Sequence, residues 1–199
     1  YAGEDDWVEG AAIDVHAGHV NITNSIFENN QALDTGGAIN FAIQSVGSQL
    51  INCNFTNNTA PTGGAIKIIN TDILIRNCKF TSNTANSGSA INIRDSKVRL
   101  ENSTFIFNSA TNNGGAIYND LSNTSRNGYL NISSSNFIDN NAVNGGAIFS
   151  KNILNIKNSN FTNNHATNNG GVIYSSNITM LLNTSSLVNN SATNGGGIY

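Results

Sequence analysis

The sequence predicts an all-β fold: a right-handed, single-stranded parallel β-helix of about eight partial or complete turns, with three short strands per turn. Three observations predict it. A Gly-Gly-Ala-Ile cassette recurs along the whole 199-residue chain. A Phe with Asn three residues later and Ala five residues later recurs between the cassettes. Apolar pairs of period two stand ahead of each Phe, which is the mark of a strand with one buried face.

The first element is the cassette. Gly36-Gly37-Ala38-Ile39 returns as Gly63 to Ile66, Gly88 to Ile91, Gly114 to Ile117, Gly145 to Ile148, Gly170 to Ile173 and Gly195 to Ile198. Gly10 to Ile13 is a weaker first copy, and the eight copies are spaced by 26, 27, 25, 26, 31, 25 and 25 residues. A fixed period of this length marks a repeat array rather than a disordered Asn-rich tract.

The second element is the apolar pair, for example Val20 and Ile22, Ile73 and Ile75, Val98 and Leu100, Leu130 and Ile132, Leu154 and Ile156. The third carries Phe27, Phe55, Phe80, Phe105, Phe137, Phe161 and Leu187, each with a small residue two positions before it. That residue shares a face with the Phe but is out of phase with the pair, so a bend falls on Asn24, Asn52, Asn77, Asn102, Ser134, Asn158 and Thr184. Asn tolerates the left-handed conformation that such a corner needs. Strands this short bury a face only by pairing with their equivalents in the next turn. Phe then stacks on Phe, Ile on Ile and Asn on Asn as an asparagine ladder, and parallel connections favour the right-handed sense.

Composition excludes several functions. Nine Lys and Arg against twelve Asp and Glu, a net charge of -3, leave no electrostatic footprint for nucleic acid. No stretch has the length and apolarity of a spanning helix. Asn, Ser and Thr number 39, 21 and 16, so hydrogen bonding replaces charge at the surface. Residues 1–199 read as one repeat array and as a piece of a longer surface protein, with an inserted loop at 119–129 where other turns are shorter.

The two signatures, GGA[ILV] and FxxN, resemble the repeats of chlamydial polymorphic membrane proteins and of adhesin-like surface proteins. The resemblance covers nearly the whole chain and implies a pectin-lyase-like β-helical passenger or stalk, extracellular or at the cell surface, acting in adhesion. It specifies a scaffold and no ligand, because the motif residues are inward or at corners. The implied partners are components of a host or neighbouring-cell surface, glycans among them, with end-to-end self-association through uncovered strand edges.

No catalytic residue, cofactor or metal is expected. Enzymes on this architecture, polysaccharide lyases and hydrolases, are the alternative function, and they need clustered acids on one solvent face. The residue after each cassette Ile should point outward, and the row reads Asp14, Asn40, Lys67, Asn92, Tyr118, Phe149, Tyr174, Tyr199, with one carboxylate. Asp14, His16 and His19 lack a strong ligand spacing. Ice binding would need regular outward Thr rows, and the residues after the Phe positions do not form one. Cys53 and Cys78 occupy equivalent inward positions in adjacent turns, where parallel side chains point alike; free thiols are favoured and a bridge is left open. Ten Asn-x-Ser/Thr sequons, against about seven or eight from composition alone, carry no signal. The candidate ligand site is an exposed aromatic ladder of Tyr118, Phe149, Tyr174 and Tyr199, with Arg126 in the inserted loop.

Overall fold

The computed structural model describes residues 10–42, 45–122, 128–176 and 178–199. The chain is all-β, and every strand pairing among the described residues is parallel and joins equivalent positions of successive repeats. Among the described residues three sheets hold seven strands each. Sheet I runs from Ile13–Val15 to Ile173–Ser175, sheet II from Asn21–Thr23 to Met180–Asn183, and sheet III from Ile26–Glu28 to Ser186–Val188. The result is a solenoid of about six complete turns, with the last cassette joined by isolated bridges such as Ile173 to Ile198.

The core is the set of stacks that the alternation requires. Phe27, Phe55, Phe80, Phe105, Phe137 and Phe161 lie ring on ring with centroids 4.6–4.9 Å apart. Five of the six rings are fully buried, and burying a Phe contributes about 1.5–3 kcal/mol. Alongside runs the buried asparagine ladder. Asn83 donates its Nδ2 to the Phe55 carbonyl and to Oδ1 of Asn108, and its own Oδ1 accepts from the backbone and side chain of Asn58. Asn58, Asn108, Asn140 and Asn164 repeat the arrangement, so polar groups at zero exposure have their partners.

The corners follow the phase slip. Asn24, Asn52, Asn77, Asn102, Ser134, Asn158 and Thr184 all have φ between 46° and 56°. Their amides form a second, exposed ladder, Asn102 to Asn77 to Asn52 to Asn24.

Two expectations need correction. A turn holds more than three strands: Thr84–Ser87, Ser109–Asn113, Asn141–Asn144 and His165–Asn169 form a fourth sheet, sheet IV, just ahead of the glycines. Polar Thr, Ser and Asn give that segment no alternating signal, and its bulged pairings to the next turn hold it. The insert is also narrower than 119–129, because Asn119 and Asp120 end the strand Ile117–Asp120 and Tyr129 begins Tyr129–Ser133. Residues 123–127, Arg126 among them, lie outside the described residues.

Candidate functional site

The outward row of sheet I is in register from Asp14 to Tyr174, and Tyr199 continues it. Its rear half is the expected aromatic ladder. Tyr118, Phe149, Tyr174 and Tyr199 stack with centroids 5.2, 4.7 and 5.5 Å apart. The expectation that the ladder is exposed fails for Phe149, which is 6% exposed; Tyr118 and Tyr174 are half-buried, and Tyr199 is 54% exposed. Phe149 is covered by a ring on either side and by Lys151, whose Nζ stands 5.6 Å from its centroid.

The cassette's first glycine also lies close to the row. Gly88 has φ 63°, and a Cβ there would touch the Cβ of Tyr118 and the Cα of Asn92. At this turn Asn92 donates from Nδ2 to the Ser87 carbonyl, which holds the end of the sheet IV strand Thr84–Ser87 beside the row. One residue ahead of the glycines a third amide ladder, Asn194 to Asn169 to Asn144 to Asn113, borders the aromatic half.

The front half of the row is polar and, past the exposed Asp14, more deeply buried. Asn40 is fully buried, and Lys67 and Asn92 are each 3% exposed. Asp14 accepts from Nδ2 of Asn40 and sits 2.8 Å from Nε2 of the exposed His16. Asp14 and His16 thus come together, and no group of three metal-ligating side chains including His19 forms among the described residues.

Lys67 donates from Nζ to Oδ1 of Asn92 at 2.5 Å. Burial holds its amine down at about 8, Arg94 pushes the same way, and Asp120 and Asp34 oppose. Burial raises the Tyr118 phenol, helped by Asp120, which also hydrogen-bonds it. Sequence reasoning placed Lys67 and Asn92 in the outward row but treated that row as solvated. A lysine and an asparagine at register partners 25 residues apart was the available signal.

Cys53 and Cys78 are both buried free thiols, and burial pushes Cys78 up to about 12, which makes it a poor nucleophile. Surface grooves lie away from the aromatic row. One of about 370 Å³ is lined by Gln31, Leu33, Thr59, Pro61 and Thr84, and one of about 320 Å³ by Arg99, Asn131, Asn155, Lys157 and Leu181.

Four stretches of the chain, 24–42, 52–68, 102–120 and 158–176, match the Chlamydia polymorphic membrane protein repeat. Each begins at a corner Asn and runs through the Phe, the ladder Asn and the cassette of one turn. No curated protein and no solved structure matched the chain.

Proposed function

We propose that this chain is part of a cell-surface protein, in which a right-handed, pectin-lyase-like solenoid of eight partial or complete turns acts as a non-enzymatic stalk for adhesion. The observation that carries this reading is the match of four turns to the polymorphic membrane protein repeat, on residues that build the core and corners. Its partners would be components of a host or neighbouring-cell surface, and copies of the chain could add end to end. The ligand strip is the accessible part of the aromatic row. Tyr174, stacked between Phe149 and Tyr199, offers a ring edge and a hydroxyl, the more exposed Tyr199 offers its ring and hydroxyl, and the amides of Asn169 and Asn194 offer the hydrogen bonds that a glycan takes.

The test uses the immobilised chain against glycan arrays and host-cell preparations. Tyr174→Ser with Tyr199→Ser is expected to abolish capture while the chain keeps its β-sheet circular dichroism. Undiminished capture by the folded double variant would remove the strip from the reading.

A further inference from the structure

We propose that Lys67 and Asn92 join covalently, the Lys67 Nζ attacking the Asn92 side-chain carbonyl carbon to form an isopeptide bond between adjacent turns of sheet I. The observation behind it is their direct contact, made by two side chains that are each 3% exposed and stand on register partners in neighbouring strands. Of the five lysines, Lys67 is the one that is buried.

Its surroundings suit a nucleophile better than a stable charge. The register partners on either side are neutral amides, Asn40 and Asn92, and Asn40 commits its Nδ2 to Asp14. An ammonium buried without a carboxylate in contact is costly, whereas a neutral amine with a lone pair is not. With the amine held at about 8, roughly a quarter of it is neutral at pH 7.5, against about one part in a thousand for an ordinary lysine. Contact within a folded strand pair also supplies the effective concentration that aminolysis of an amide lacks in solution, of order 10⁵ M and above. Burial keeps water from competing.

The step balances without any further reactant. The Lys67 nitrogen forms a bond to Cγ of Asn92, the bond from Cγ to Nδ2 breaks, and Nδ2 leaves as ammonia with the proton that the amine gives up. Of the two carboxylates whose charge acts on Lys67, Asp120 acts more strongly than Asp34 and is given the part of carrying that proton. Its side chain is on the same outward face, hydrogen-bonded to Tyr118, the register partner of Asn92. The product is an amide, which titrates nowhere in the physiological range and ties two turns of the solenoid across sheet I. This inference does not depend on the surface reading.

The experiment is intact-mass spectrometry of the purified, folded chain after a day at 37 °C and pH 8, followed by tryptic peptide mapping. The expected result is a chain lighter by one ammonia, with a branched peptide joining the segments around Lys67 and Asn92. Lys67→Arg and Asn92→Ala should each keep their full mass, and Asp120→Asn should link more slowly. If a variant fails to fold, the branched peptide of the unsubstituted chain decides. A folded chain at full mass with separate Lys67 and Asn92 peptides overturns the proposal, and unslowed linkage in Asp120→Asn overturns the part given to Asp120.

Discussion

Below pH 8 an unlinked Lys67 is a buried cation, and the folded chain bears the cost of its desolvation. Its folded value of about 8 lies under the 10.5 of an exposed lysine, so between those values the unfolded chain binds more protons than the folded one. Stability therefore rises with pH across this window, by at most about 3 kcal/mol, and the penalty is fully present below it. The measurement is urea unfolding of Asn92→Ala, which cannot link, at about pH 7 and about pH 10. Comparison with Lys67→Met on the same background cancels the tyrosines. Asn92→Ala is expected to gain stability on going to high pH relative to that control; equal pH responses would show that Lys67 is not a desolvated amine. The row that holds this pair was legible as a row, from Asp14 to Tyr199. Its burial was not: Lys67 and Asn92 close on each other and Phe149 lies between two rings and Lys151, and no periodic signal distinguishes such covered outward positions from solvated ones.

The cassette shows how an element is fixed by two glycines for two reasons. The first, such as Gly114 at φ 66°, turns the chain through a left-handed conformation, and the second has no room for a side chain. A Cβ on Gly115 would overlap the Gly146 carbonyl oxygen of the next turn, with the Asn141 backbone close behind. Ser89 is the exception at this position, fully buried with its hydroxyl donating to the Gly115 carbonyl. Gly115→Ala should therefore force two turns apart and cost several kcal/mol, beyond the usual ~1–3 for an overpacked site. Gly47→Ala should cost only about 1–2 kcal/mol, because that glycine has φ 86° but nothing within 4 Å of a Cβ. Thermal melts of the two variants check this, and equal shifts would mean that the glycine pair is kept for backbone freedom alone. The elements themselves were readable wherever identity and period agreed. The corner at Asn24, Asn52, Asn77 and Asn102 was marked by a phase slip. The next corner, at Asn29, Asn57, Ser82, Phe107, Asp139, Asn163 and Asn189, also has positive φ but was missed: its residues share no single chemistry, and the slip that marks it, a buried Asn three residues after a buried Phe, was used only as a repeat signature.

At the scale of the molecule each turn touches mainly the turns before and after it, so stability is close to a sum of repeat terms and neighbour terms. Charge contributes little to that sum: among the described residues the ion pairs are His16 with Asp14, and Lys97 with Asp72 at 3.9 Å, each with an exposed partner. What holds the turns is register, and register can be tested by removing a whole repeat. Deleting residues 145–169 joins Asn144 to Gly170 in place of Asn169 to Gly170, and Asn144 and Asn169 are register partners. Every sheet then loses one strand, and the Phe stack, the buried Asn ladder and the cassette close up without a mismatch. The shortened chain is expected to fold, with unchanged β-sheet dichroism per residue and a urea m-value lowered in proportion to the surface removed. Deleting only 145–156 should behave otherwise. It places Lys157 where Gly145 stood, sets an apolar strand out of phase with its neighbours and turns inward residues out. If both deletions unfolded alike, the turns would be bound by something other than the repeat register. If both folded alike, the stacks of Phe and Asn would not be what sets it.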